Sequence, residues 1–378
     1  MYVVPLLRSV RLLCVTLRLV FHRNRIGRQI APLCCLLWCS TAVTGQTITN
    51  LREQGHQEYQ AGHYAESEKY FRAALQEPGL DVDGRAGVLS DLGTLLLDEE
   101  RSSEAEEAYT EALALQMGRA ADRRVIASLL RHLGSVYSIQ RRDDEAISHL
   151  NEALKLAKAP PSNPELTAAI LNSLGVAYFR QARVKKAEKL FKEGLKLLAN
   201  SGSRFEVYMA PILNNLGAVY CERRNYRLAE EFLTRAFRLT EAQFGSSHAA
   251  LVDSLDGLGV VYTKLGRYAE AEAQFQRAIA ILGQHSPIPF DVRIARSYKG
   301  LADTYAQEGR VREAMTAIEE AVRIARPNLA RSPEMISVLE TYSHLLDVVG
   351  KPLEAQTIRS EARVARVTMA STVRAYKP

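Results

Sequence analysis

Beyond residue 45 the chain has a single cysteine, Cys221, and no tryptophan. One thiol makes no intramolecular disulfide and no cysteine-based zinc site, so neither staple holds this part of the chain together. Glycine and proline are sparse, 22 and 13 in 378 residues, which excludes collagen-like and linker-like sequence. The eight histidines include no pair at the HExxH spacing, and there is neither a G-x-S-x-G turn nor a phosphate-binding Walker loop. Gly257-Leu258-Gly259 resembles part of a dinucleotide fingerprint but lacks the third glycine, and reads as helix-packing glycines. The acidic clusters at Glu104–Glu107 and Asp143–Glu145 read as solvated faces or helix-start charges. No catalytic residue, metal ligand or cofactor is assigned, and a non-enzymatic function is expected.

Acidic residues and lysine are absent from residues 1–45, which carry six arginines from Arg8 to Arg28. An apolar run from Ala31 to Trp38 follows and continues through Cys39 to Gly45. A basic stretch, an apolar stretch and small residues make the layout of a secretory signal peptide, with cleavage expected before Gln46 and Ala42 as a second boundary. An organelle transit peptide is compatible with the same composition. An uncleaved membrane anchor is a further reading, although 15 residues fall short of the roughly 20 of a span. The expectation is export, periplasmic or secreted, with anchoring as the alternative and membrane contact confined to this segment. The formal net charge of +6 belongs entirely to this leader, because residues 46–378 hold 43 basic and 43 acidic side chains. A neutral body removes the case for nucleic acid as a partner.

What the body does have is one phrase, repeated. Leu133-Gly134-x-x-Tyr137 recurs as Leu174-Gly175-x-x-Tyr178, Leu216-Gly217-x-x-Tyr220 and Leu258-Gly259-x-x-Tyr262, with weaker copies at Leu92-Gly93 and Leu301-Ala302-x-x-Tyr305. The small residue falls at 93, 134, 175, 217, 259 and 302, a period of 41 to 43. Twelve residues on comes an alanine (105, 146, 187, 229, 271, 314). Four further is a large residue (Tyr109, Leu150, Phe191, Leu233, Phe275, Ile318), and three beyond that another small one. Gly55 with Phe71, and Ser343 with Gly350, Ala355 and Ala362, mark looser copies at the two edges. These intervals put one apolar stripe on each of two helices per unit. Glycine or alanine allows their backbones to approach while the large side chain fills the space beside them. Polar or glycine-containing turns such as Gly62-His63, Arg141-Arg142-Asp143, Gly266-Arg267 and Gly309-Arg310 separate the two helices, and Pro160-Pro161, Asn163-Pro164, Ser201-Gly202-Ser203, Ser286-Pro287 and Pro327 separate the units.

Over roughly residues 47–363 this pattern resembles the tetratricopeptide repeat family, in the long-helix variety found in kinesin light chains and many bacterial repeat proteins. The resemblance implies an all-α, right-handed α-solenoid of about seven to eight helix-turn-helix repeats across residues 46–363. The end of the last helix and a tail take up 364–378. Arg359 stands where the other units have a large apolar residue, as expected of a final helix with a solvated outer face.

A solenoid curves, and its first helices line a concave surface that suits a protein or an extended peptide. The residue three before the small position is expected to face it: Arg131, Asn172, Asn214, Asp256, Lys299 and Glu340. One residue after the small position come Ser135, Val176, Ala218, Val260 and Asp303, so the surface mixes polar rungs with small apolar patches. An asparagine amide can donate and accept at once and so bracket a peptide bond. Its alternative is to bond a neighbouring helix or water. In kinesin-light-chain-type repeats, which Leu171-Asn172-Ser173-Leu174 and Leu213-Asn214-Asn215-Leu216 resemble, the asparagine holds a peptide backbone. Arg131, Asn172, Asn214, Asp256 and Lys299 are therefore the candidate peptide-binding stripe. The three-helix lysine and asparagine clamp by which some of these repeats grip a C-terminal carboxylate is not reproduced; only Asn215 matches its middle position. The expected function is a protein-interaction scaffold. A regulatory or sensor subunit of a larger enzyme or signalling complex is the alternative.

Overall fold

A computed structural model describes residues 47–375 apart from 100, 118–121, 161, 203–205, 207, 286–291 and 330–332. The expected leader, residues 1–45, and the last residues of the tail lie outside the described residues. The chain divides into two compact units, one ending at Leu92 and the other beginning at Gly93. The described residues form sixteen α-helices and no strand. They are α1 (47–60), α2 (Tyr64–Gln76), α3 (Val82–Asp98), α4 (Ser102–Met117), α5 (Arg123–Ile139), α6 (Asp143–Lys158), α7 (Pro164–Arg180) and α8 (Val184–Asn200). There follow α9 (Ala210–Glu222), α10 (Tyr226–Phe244), α11 (Val252–Lys264), α12 (Tyr268–His285), α13 (Val292–Glu308), α14 (Val311–Ala325), α15 (Pro333–Val348) and α16 (Pro352–Ala375). The eight successive pairs are the eight sequence units, each an odd-numbered first helix and an even-numbered second one. The fold is an all-α solenoid.

Within the first unit the packing rule of the repeats is already present. Phe71 on α2 is 1% exposed and lies against Gly55 on α1, where a Cβ would sit 2.5 Å from the ring. Ser67 Oγ donates to the Gly55 carbonyl at 2.8 Å, and Arg52 pairs with Asp91.

Within the second unit, from α5 onward, each helix packs on the next. First helices are buried on two sides: α7 sinks Ile170, Leu171, Leu174, Ala177 and Tyr178 between its neighbours. Second helices bury a single stripe, which on α8 is Ala187, Phe191, Gly194 and Leu198. This difference separates a helix with partners on both sides from one whose other face meets water. Helix starts are marked locally. The Asp122 and Asn163 side chains accept from the backbone N–H groups of Arg124 and Leu166, and Pro164 stands at the first position of α7, where its missing N–H costs nothing.

Inside the pairs the turns share one geometry. The first or second residue past the first helix has positive φ, as at Arg141 (64°), Ala182 (58°), Arg224 (58°), Gly266 (73°) and Gly309 (88°). The next N–H then reaches back five residues, Arg142 to the Tyr137 carbonyl and Arg310 to the Tyr305 carbonyl, both at 2.8 Å. These bonds satisfy carbonyls that a helix end leaves open. Gly266 and Gly309 adopt the left-handed conformation freely, whereas a residue with a Cβ incurs about 1–2 kcal/mol.

The spacing of small and large residues has a direct structural meaning. A Cβ on Gly134 would lie 2.5 Å from Leu150, on Gly175 2.3 Å from Phe191, on Gly217 2.5 Å from Leu233 and on Gly259 2.6 Å from Phe275. Gly257 and Gly300 face Leu233 and Phe275 from the following unit, at 2.7 and 2.4 Å, which makes Gly257 a packing glycine. At the C-terminal end the core position is Ile358, 6% exposed, while Arg359 is exposed and pairs with Asp347. Helix α16 runs on to Ala375, so the end of the last helix takes up most of the 364–378 segment. Replacing Gly175 by alanine sets an overpacking cost of about 1–3 kcal/mol against a helix-propensity gain of about 1 kcal/mol. Gly175→Ala is therefore expected to destabilise the chain in denaturant unfolding, and adding Phe191→Leu is expected to recover part of the loss. A single variant as stable as the parent would show that the close approach is no constraint.

Candidate binding groove

The first helices of the second unit carry the candidate stripe in register, on α5 (Arg131), α7 (Asn172), α9 (Asn214), α11 (Asp256) and α13 (Lys299). Three of these residues join one unit to the next. Asn215 Nδ2 donates to Asn172 Oδ1 at 2.8 Å, and Ser254 Oγ donates to Asn214 Oδ1 at 2.8 Å. Asp256 is 7% exposed; Ser297 Oγ donates to one of its oxygens at 2.7 Å and Arg296 Nε to the other at 3.0 Å. Burial raises the Asp256 carboxyl, and the Arg296 charge opposes it. Arg296 also reaches Asp253 at 2.7 Å. Lys299 pairs instead with Asp303, one turn along its own helix, at 2.9 Å. The neighbouring-helix role of the asparagines is thus realised through their oxygens. Their Nδ2 groups remain as donors: neither makes a hydrogen bond among the described residues, and neither is a buried orphan.

Between α9 and α11 the surface opens into a cleft of about 940 Å³. Asn214, Asn215, Ala218, Cys221, Val260 and Lys264 are on its walls. Val260 is 39% exposed, an aliphatic side chain left open on the cleft wall. Burial pushes the Cys221 thiol up, against the pull of Lys264, so it stays protonated and acts as a small apolar wall. Among the described residues no cluster of His, Cys, Asp and Glu could hold a metal ion, and no helix is long and apolar enough to cross a membrane.

Arg131 is unlike the other rungs. Its Nη2 lies 2.9 Å from His132 Nε2, its Nε is buried without a hydrogen-bond partner, and it makes no ion pair among the described residues. His132 stacks on Tyr109 with ring centroids 4.9 Å apart, and burial, with Arg131 adding to it, pushes the imidazole down to about 3. The ring is neutral at any ordinary pH. Arg180, at the end of α7, also has a buried Nε without a partner. Burial lowers the pKa of both guanidinium groups from the usual value; at Arg180 the nearby Arg141 adds to this, while the Asp143 and Glu334 charges pull the other way.

A second network lies at the far ends of the first helices. The residue after the positive-φ position is Arg142, Arg183, Arg267 or Arg310, and its guanidinium lies over the repeat tyrosine five residues earlier, 4.2 to 4.7 Å from the ring centroid. Three of these arginines bond a glutamate on the second helix of the preceding pair: Arg142 to Glu106, Arg267 to Glu230 and Arg310 to Glu272. Tyr220 and Tyr305 donate their hydroxyls to Glu188 and Glu272 at 2.8 and 2.7 Å. In the sequence these tyrosines belong to the apolar stripe of the first helix, which does not show the bridge. Its signal is a glutamate directly after the repeat alanine at 106, 188, 230 and 272. Where Ile147 replaces that glutamate, Arg183 and Lys186 still cover the Tyr178 ring.

The Tyr305 hydroxyl, with Arg310 assisting and burial opposing, holds the Glu272 carboxyl below its ordinary value. A carboxyl lowered in the folded state stabilises above the unfolded pKa, and that stabilisation is lost as pH falls through the folded value. Glu272→Gln is expected to unfold at lower denaturant concentration than the parent at neutral pH, and the gap is expected to narrow as pH drops below about 4.3. A gap that stays constant across an acid titration series would show that this carboxylate does not stabilise the joint through its charge.

Tetratricopeptide repeat profiles match residues 84–159, 125–200 and 208–284, and a second profile of that description matches 295–328. No curated protein matches the chain. Among solved structures, a Rap protein complexed with Competence and Sporulation Factor has a TM-score of 0.67 at 12% identity, covering 96% of this chain and 99% of that one. The apo form of the quorum sensor NprR from B. thuringiensis has a TM-score of 0.63 at 13% identity, covering 95% and 98%. BtubC (BKLC) from P. vanneervenii is 22% identical, covers 60% of this chain and 89% of its own, and has a TM-score of 0.48. At these identities the likeness is one of fold.

Proposed function

The chain belongs to the tetratricopeptide repeat family, and we propose that it is a non-catalytic interaction scaffold that holds an extended peptide segment of a protein partner along its first helices. The observation that carries this reading is the pair of asparagine rungs. The oxygens of Asn172 and Asn214 are spent on the next repeat, which fixes each amide plane, and their Nδ2 donors are left for a peptide carbonyl. Arg131, Asp256 and Lys299 flank them on the same line. Ala218 and Val260 supply apolar contact beside them in the cleft. A regulatory or sensor subunit is the second reading, favoured by the Rap complex and the quorum sensor NprR, whose folds are similar across nearly the whole chain.

Peptides selected on the full chain from a random dodecapeptide display library test the groove. The double variant Asn172→Ala, Asn214→Ala is expected to weaken such peptides about tenfold or more, each lost hydrogen bond being worth about 0.5–1.5 kcal/mol. Unchanged affinity would place the binding site elsewhere.

Residues 1–45 are proposed to direct export, which separates a basic targeting segment from an electroneutral body. N-terminal sequencing of the mature protein is expected to begin at Gln46. An intact leader on the mature chain would favour the anchored form.

A further inference from the structure

Among the described residues only three buried side-chain polar atoms lack a hydrogen-bond partner: Arg131 Nε, Arg180 Nε and Asp143 Oδ1. Two of the three are guanidinium nitrogens on consecutive first helices. A buried guanidinium nitrogen with no carboxylate in contact is the arrangement that folding alone disfavours, because the lost hydration is not returned; at Arg180 the Asp143 and Glu334 charges act without an ion pair to the guanidinium. Elsewhere along the solenoid arginines that leave water find carboxylates, as Arg142 finds Glu106 and Glu145, and Arg296 finds Asp253 and Asp256. At Arg131 the neighbouring acceptor is instead a neutral imidazole, held by its stack on Tyr109.

The repeat register places both arginines on the wall that forms the cleft further along. Asn214 and Glu222 line that cleft. One unit earlier the same two positions are Asn172 and Arg180, and a further unit earlier the first of them is Arg131. Arg131 and Asn172 are thus level with each other on adjacent helices, and Arg180 lies eight residues beyond Asn172. Eight residues of helix advance about 12 Å; with about 8–10 Å between neighbouring helix axes the two positions stand about 15 Å apart, which is the reach of about four to five residues of extended chain.

Resting on the peptide-binding reading above, we propose that Arg131 and Arg180 are twin carboxylate subsites, and that the bound segment is acidic, with two carboxylates about four to five residues apart. One carboxylate accepts from the Arg131 guanidinium, where the unused Nε completes a two-point contact. The intervening backbone passes the Asn172 amide, and the second carboxylate accepts from Arg180. Guanidinium suits this role because its donors form a planar fork that matches a carboxylate. Occupation by the ligand supplies a direct carboxylate contact that neither site has in the free protein, so part of the binding energy comes from relieving a cost that the free protein carries.

The peptides selected on the full chain test this directly. Sequences with two acidic residues about four to five apart are expected to be enriched, and each of Arg131→Gln and Arg180→Gln is expected to weaken them about tenfold or more, as is changing either peptide glutamate to glutamine. The ligand-free Arg131→Gln chain is expected to melt no lower than the parent, since the change removes an uncompensated charge. A fall in melting temperature would make Arg131 a structural anchor and overturn the proposal. Neutral or basic peptides that bind, respond to the Asn172→Ala, Asn214→Ala variant and ignore both arginine variants would overturn the acidic-ligand proposal while leaving the groove reading intact. Failure to select any peptide would overturn both.

Discussion

The closest constraint in this protein is the contact between a glycine on each first helix and a large side chain on its partner. At Gly134, Gly175, Gly217 and Gly259 there is no room for a Cβ against Leu150, Phe191, Leu233 and Phe275. Everything else in a repeat follows from holding two helix backbones that near. The large side chain must be fully buried, so small residues must flank it, as Ala187 and Gly194 flank Phe191. The tyrosine three residues after the glycine is then carried to the edge of the pair, where its ring supports an arginine and its hydroxyl can reach the preceding unit. A packing rule within one pair thereby sets where the polar joints between pairs can form.

Those joints divide the labour between two regions of the first helices. Toward the turns, tyrosine, arginine and glutamate tie unit to unit, partly exposed and reinforced by a cation over an aromatic face. Midway along, Asn172, Asn214 and Asp256 make the second set of ties with short side chains. Short ties suit a surface that must remain open. A side chain as long as arginine bridging every rung would cover the cleft that Ala218, Val260 and the asparagines leave accessible.

The fold was legible because its determinants are local and repeat: a glycine or alanine, a tyrosine three on, an alanine twelve on, all inside one unit. Eight units, their turns and the packing role of Gly257 can be read at that level. Contacts between units were less legible. Nothing local says that Glu272 meets Tyr305 and Arg310, or that Asn172 meets Asn215, because those partners are set by how one pair stacks on the next. Asp256 was chosen for its register, which it keeps; its burial by Ser297 and Arg296 depends on side chains of the following repeat. Arg180 gave no signal, since an arginine ending a helix usually reaches water and only the stacked neighbours bury its Nε.

The distribution of charge follows the same division. With equal numbers of acids and bases after residue 45, this body has no overall field to attract a partner, and recognition falls to individual groups. Several of its arginines are neutralised in place by a glutamate three residues on or one unit back, as at Arg267 and Arg310. Arg131 and Arg180 differ from these in having a buried Nε that finds no partner. In a body whose charges balance, two guanidinium groups with a buried Nε and no carboxylate in contact leave an imbalance on the first helices of the third and fourth pairs. A local imbalance inside a neutral scaffold selects a partner by the spacing of its charges, which a uniformly basic surface cannot do.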